Sequence, residues 1–208
     1  MIDIDNNDTI CAVATAAGGA IGVIRVSGPD AISLTDSIFS RNLQDASPNT
    51  IVYGNIVGTN NDIVDEVLVS IFRKPHSYTG EDSTEISCHG SRYILSRVMQ
   101  LLISAGCRQA QPGEFTRRAF CNGKLDLSQA EAVADLIAST NEATHHIALG
   151  QLRGNITNTL SLLRDQLLKM TSLLELELDF RDHEELEFAD RSQLRQLAEE
   201  IESRIVKM

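Results

Sequence analysis

The spacing of apolar positions changes once along the chain, near Pro112. Before it, short β-branched runs alternate with helical stripes; beyond it, apolar residues recur only at threes and fours. The run from Thr9 to Gly28 predicts two strands, one on each side of the small-residue stretch Ala16 to Ala20. Pro29 and Asp30 open a short helix with the stripe Ile32, Leu34, Ile38 and Phe39, which gives way to a polar loop through Ser47, Pro48 and Asn49. The segments IVYGNIVG and VDEVLVSIF are dense in β-branched residues, and the turn formers Asn60, Asn61 and Asp62 between them make a hairpin the economical reading. A further strand from about Thr84 to Cys88 places Thr84, Ile86 and Cys88 on one face and Glu85, Ser87 and His89 on the other. Ser91 is then placed as the N-cap of a helix with the stripe Ile94, Leu95, Val98, Leu101, Leu102 and Ala105, and Gly106 supplies its stop.

Past Pro112 a short basic helix from Glu114 to Cys121 ends at Asn122 and Gly123, and the remainder reads as helical. Ser128 and Glu131 have capping-box spacing ahead of AVADLIA. The positions Leu149, Leu152, Ile156, Leu160, Leu163, Leu167, Met170 and Leu174 form a heptad-like seam, which predicts one helix about 40 Å long or more in a bundle. Asp179 to His183 breaks that pattern, and a last amphipathic helix begins near Asp190 with Leu194, Leu197, Ile201 and Ile205 on one face. Its stripe still runs at Met208 without a stop signal, so the natural chain is expected to continue. The fold class is therefore α+β, with an α/β domain over residues 1–120 and an all-α segment over 121–208.

Composition narrows the partners. Lys and Arg number 18 against 29 Asp and Glu, for a formal charge of -11, which on average repels a phosphate backbone. The cysteines Cys11, Cys88, Cys107 and Cys121 show no CxxC pair or zinc-type spacing, and read as reduced, mostly buried thiols. The acidic start MIDIDNNDTI is unlike a signal peptide, and no long apolar run occurs, so a soluble, cytoplasmic protein without a membrane partner is expected.

Three segments could carry chemistry. Arg25 lies inside the apolar strand IGVIRVSG, where a guanidinium needs an anionic or planar partner; an internal ion pair and a ligand both satisfy that need. In SYTGEDSTEISCHG, a polar loop delivers Glu81 and Asp82 just ahead of Glu85, a strand carboxylate that could accept two parallel N–H donors from a guanidine-like edge or could simply be solvated. His89, at a helix start, has no metal partner at ligand spacing. In PGEFTRRAFCNGKLDLSQAEA, Lys124 sits on a turn just after Arg117 and Arg118 and could present cations to a polyanionic tail. Gly123-Lys124 is not a Walker A lysine, because Leu125 follows it and Arg118 stands five positions before Gly123, so no P-loop is read in this chain. The acids from Glu175 to Glu187 are read as a solvated face, and no metal site is assigned.

The stretches DTICAVAT, GVIRVSG, SYTGEDSTEISCHG, PGEFTRRAFCNGKLDLSQAEAVADLI and ELDFRDHEELEF, in this order, closely resemble the N-terminal half of the MnmE (TrmE) family of tRNA modification GTPases. The resemblance implies an aminomethyltransferase-like tetrahydrofolate-binding domain that homodimerises, followed by the first part of a helical domain into which a GTPase domain is inserted later. It implies binding of 5-formyl- or 5,10-methylene-tetrahydrofolate, with Arg25, Glu85 and Lys124 matching the family's folate-contacting positions, Glu85 reading the pterin edge and the two cations reaching carbonyls or the glutamyl tail. It further implies that the whole protein acts with the flavoprotein MnmG (GidA) in a heterotetramer to place an aminomethyl or carboxymethylaminomethyl group on the wobble uridine of tRNA. GTP, Mg2+ and K+ would bind outside these residues, which would hold no catalytic residue of the hydrolase. The loop TAAGGAIG departs from the family pattern, lacking the Pro-Pro that many members carry. Two rival readings are a folate module of an aminomethyltransferase-like protein without a GTPase domain, and a dimerisation piece in which Arg25 and Glu85 pair internally.

Overall fold

The β-branched runs of the first half become neighbours in one sheet because each buries alternate side chains beneath the same two helices. The computed structural model describes residues 7–16, 18–179 and 191–207. The chain divides into two units, Met1–Ala130 and Glu131–Met208.

In the first unit, β1 (Ile10–Val13), β2 (Ile21–Ser27), β3 (Thr50–Val57), β4 (Ile63–Phe72), β5 (Ser83–His89) and β6 (Arg108–Gln109) form a six-stranded sheet in the order β3-β4-β5-β2-β1-β6. Neighbouring strands are antiparallel except β1 and β6, which run parallel. Helices α1 (Ala31–Asp36) and α2 (Arg92–Ala105) pack on one face, and α3 (Glu114–Cys121) follows β6. Beneath α1 and α2 the core joins Ile24 and Val26 of β2, Val67, Val69 and Ile71 of β4, and Ile86 of β5 to Ile32, Leu95, Val98 and Leu102. The polar exception on this face is Thr84, whose hydroxyl bonds that of Thr35 at 2.7 Å. Thr35 passes its own proton to the Ala31 carbonyl at 2.7 Å, so this buried pair is satisfied.

Alternation leaves the other face to a different row. Ile51, Ser70, Glu85, Arg25 and Ala12 stand in register across β3, β4, β5, β2 and β1, so all share that face. Arg25 and Glu85 thus occupy the two central strands, where pairing on both edges fixes the backbone beneath them.

The elements follow the sequence pattern, with four differences. Helix α1 stops at Asp36, so Ile38 and Phe39 of its expected stripe lie beyond it, where Phe39 bridges Ile56 of β3. The two-residue β6 adds to the sheet just before Pro112, too short to carry a periodic signal. Helix α4 (Leu127–Ala138) is capped not by Ser128 and Glu131 but by the reciprocal pair Asp126 and Gln129, whose side chains accept from each other's backbone N–H at 2.8 Å. The long seam is also not one helix. Gly154, at φ 77, separates α5 (Glu142–Leu152) from α6 (Asn155–Asp179), a conformation that glycine reaches without a Cβ clash.

In the second unit α6 packs against α5 and against α7 (Arg191–Lys207). Leu163 and Ile201 are buried there, whereas the seam positions Leu160, Leu167 and Leu174 are exposed. Most of the expected break from Asp179 to His183, and most of the acidic run, lies outside the described residues. Among the described residues no helix is long and apolar enough to cross a membrane. All four cysteines are free thiols; Cys11, Cys88 and Cys107 are buried and Cys121 is exposed.

The division of faces sets a stability contrast. Ile24→Ala should cost about 2–5 kcal/mol in urea denaturation, because it opens a cavity under α2. Ile51→Ala, at a position 65% exposed, should change stability by less than about 0.5 kcal/mol.

Candidate functional site

Directly opposite each other in the β2–β5 register, Arg25 and Glu85 meet through their side chains. The Arg25 Nε–H donates to Glu85 Oε1 at 2.9 Å, and Nη2 lies 2.8 Å from the same oxygen as an ion pair. Glu85 Oε2 accepts no hydrogen bond among the described residues. The two side chains remain 27% and 29% exposed, so the pair sits at a surface from which another molecule could reach the spare carboxylate oxygen. Two aromatic rings flank the guanidinium. The Tyr78 centroid lies 5.0 Å from Arg25 Cζ and the Phe115 centroid 5.6 Å, within cation–π range.

Tyr78 comes from the loop between β4 and β5, and Phe115 from the first turn of α3. Their placement is mutual, since the Tyr78 hydroxyl bonds Thr116 Oγ1 at 2.9 Å. Neither ring was singled out by sequence. Tyr78 lies within a segment that did stand out, but its position over Arg25 depends on how the loop and α3 dock. A cationic centre, a spare carboxylate oxygen and two ring faces can together hold a flat, hydrogen-bond-donating ring.

Lys124 does not join the pair. Its Nζ donates to the Pro75 carbonyl at 3.1 Å, and its stem packs against Gly80, where an added Cβ would meet Lys124 Cγ at 3.2 Å. It therefore borders the loop that carries Tyr78. His89 lies at the far end of β5, where its Nδ1 meets Asp65 Oδ1 at 2.7 Å and its backbone N–H donates to Asp65 Oδ2 at 2.8 Å.

Arg118 is the largest departure from the sequence reading. It presents no cation to an outside tail, because its side chain is only 1% exposed. Its Nη1–H donates to the Asp8 carbonyl at 2.8 Å and faces Glu81 Oε1 at 3.3 Å, while its Nη2–H reaches the Asp8 carboxylate and Glu114 Oε1, the latter at 3.4 Å. Arg108 completes this cage, donating to Asp8 Oδ2 at 2.5 Å and to both Glu114 oxygens at 2.6 and 3.1 Å. Among the described residues, no group of three or more His, Cys, Asp or Glu side chains could hold a metal ion.

The cage sets the acid titration. Burial pushes the Glu114 carboxyl pKa up, but the Arg108 hydrogen bond, the Gln111 N–H and the charges of Arg108 and Arg118 outweigh it and hold the pKa at about 2, below the ordinary 4.5. Asp8 is likewise lowered, burial being outweighed by Arg108 and Arg118. A depressed carboxyl pKa contributes stability that is fully present above pH 4.5 and is lost as pH falls toward 2. At about 1.4 kcal/mol per pH unit, the Glu114 contribution is on the order of 3 kcal/mol. Urea unfolding followed from pH 6 down to about pH 2 should show this loss, and Glu114→Gln should flatten the slope. An unchanged slope would remove Glu114 as its source.

The family model described as "GTP-binding protein TrmE N-terminus" matches residues 9–124, and the "MnmE helical domain" model matches residues 127–208. The tRNA modification GTPase MnmE of Bacteroides fragilis is 62% identical over 208 residues, covering 98% of this chain and 44% of the relative. That of Parabacteroides distasonis is 59% identical over 206 residues, covering 96% and 45%, and that of Flavobacterium johnsoniae 55% over 202 residues, covering 95% and 43%. The chain thus spans less than half the length of these curated relatives. Both family models together account for nearly all of it, and the chain belongs to the MnmE family of tRNA modification GTPases, of which it carries the N-terminal and helical domains.

Proposed function

We propose that the first unit binds a reduced one-carbon folate, 5-formyl- or 5,10-methylene-tetrahydrofolate, on the open sheet face around Arg25 and Glu85. The observation that carries this reading is the spare Glu85 Oε2, surface-accessible beside a guanidinium flanked by Tyr78 and Phe115. A pterin edge offers parallel N–H donors to a carboxylate, and its ring offers a flat face to the aromatic side chains. Glu85 fixes that edge, Arg25 orients Glu85 and faces the ligand's carbonyls, and Lys124 draws the glutamyl tail along the Pro75–Gly80 side of the loop. The bound folate supplies a one-carbon unit.

In the longer protein this unit would serve tRNA wobble-uridine modification together with the flavoprotein MnmG, as a homodimer within a heterotetramer. GTP with Mg2+ and K+ would be handled outside these residues. The names of the relatives support the tRNA modification and GTPase parts of this reading. A second reading, an internal ion pair in a purely structural module, draws on the same contact at 2.8 Å. The exposure of the pair argues against it, because an ion pair open to water contributes only about 0–1 kcal/mol to stability.

Titration calorimetry with 5-formyltetrahydrofolate separates the two. The unsubstituted chain should bind, and Glu85→Ala should weaken binding about tenfold to a hundredfold while circular dichroism stays unchanged. Lys124→Ala should weaken a polyglutamyl folate more than the monoglutamyl form. Equal binding by Glu85→Ala and the unsubstituted chain, or no binding by either, would return the pair to a structural role.

A further inference from the structure

Tyr78 is an exposed ring on a loop, yet the residues on both sides of it are tied down. Ser77 Oγ donates to the Glu81 carbonyl at 2.6 Å, and the Glu81 backbone N–H donates to Thr79 Oγ1 at 3.3 Å. Buried Thr79 bonds Ser27 Oγ at 2.7 Å, and its carbonyl accepts from Asn122 Nδ2 at 2.7 Å. Ser27 lies two residues after Arg25, on the same face of β2, and donates to Glu81 Oε2 at 2.7 Å. The Glu81 side chain, 14% exposed, is held in turn by Arg118. One carboxylate therefore connects the loop, the end of the strand that carries Arg25, and the cage under α3.

From these contacts we infer that Glu81 is a positioning residue for the ligand site, acting through Tyr78. Its carboxylate anchors the turn to Ser27 and Arg118, and from that anchored position its backbone N–H and carbonyl hold Thr79 and Ser77, keeping the intervening ring against the Arg25 guanidinium before any ligand arrives. An ordered ring spares the ligand the cost of immobilising it, and more where a loop is ordered with it. The role does not extend to holding the fold together, because Arg118 keeps Asp8 and Glu114 when Glu81 loses its charge. This inference rests on the folate reading of the Arg25–Glu85 pair.

The test is a double-mutant cycle in the 208-residue chain, with 5-formyltetrahydrofolate as the probe. Glu81→Gln and Tyr78→Leu should each weaken binding about tenfold, and the double variant should bind no more weakly than either single one, because both remove the same held ring. Losses that multiply to about a hundredfold, or a Glu81→Gln chain that binds like the unsubstituted one, would overturn the role. Absence of binding by the unsubstituted chain overturns the folate reading itself and this role with it, so the two failures are distinguishable. Hydrogen exchange supplies a readout without ligand. Amides of residues 77–82 should exchange faster in Glu81→Gln while those of β5 stay protected, and unchanged loop exchange would count against the inference. Should Glu81→Gln fail to fold, Asn122→Ala cuts a tie to the Thr79 carbonyl outside the carboxylate cage and should give the same exchange and binding pattern.

Discussion

A guanidinium with 1% of its surface in water must be surrounded by acceptors, and Arg118 draws them from segments far apart in sequence. Asp8 comes from the start of the described chain, Glu81 from the loop before β5, and Glu114 from the first turn of the same helix. Meeting this one requirement brings α3 onto the β1–β2 side of the sheet and ties the Tyr78 loop beside it. Ile10, on the same face of the sheet as Arg25, is buried yet lies outside the main apolar core.

The guanidiniums of Arg118 and Arg25 differ in what their surroundings leave open. Arg118 is itself enclosed, held by buried Glu114, by Glu81 and by the partly exposed Asp8, and the lowered titration of Glu114 and Asp8 reflects the guanidiniums beside them. Arg25 instead engages one oxygen of one carboxylate, at a surface, with aromatic rings beside it. The first arrangement commits both Nη groups of its guanidinium to the fold. The second leaves an acceptor and two ring faces available, and for that reason the ligand site is proposed at Arg25 and Glu85 rather than at the more heavily bonded cluster.

Legibility from sequence followed the range of the physics involved. Alternation along β5 placed Glu85 opposite the core-facing Ile86, and a lone charge in an apolar strand marked Arg25; both signals are local, and the sheet bears them out. That the two residues meet depends on strand register, which only the folded sheet supplies. Arg118 looked like half of an exposed basic doublet with Arg117, although its spacing of four from Glu114 was a clue that one face of α3 is paired internally. The cap of α4 was found in kind and displaced in position, since Asp126 and Gln129 have the same spacing as Ser128 and Glu131, two residues earlier. The seam misled because apolar spacing carries through a glycine whose backbone turns away from the helix.

The claim that Arg25 and Glu85 face a ligand, and are not simply a strut between strands, is tested most directly by exchanging them. A chain carrying both Arg25→Glu and Glu85→Arg keeps an ion pair at the same register but presents it with reversed polarity. Urea denaturation and 5-formyltetrahydrofolate titration of this chain should show stability within about 1 kcal/mol of the unsubstituted protein and no folate binding. Folate binding that survives the exchange, or a large loss of stability in each single variant that the exchange restores, would contradict the assignment.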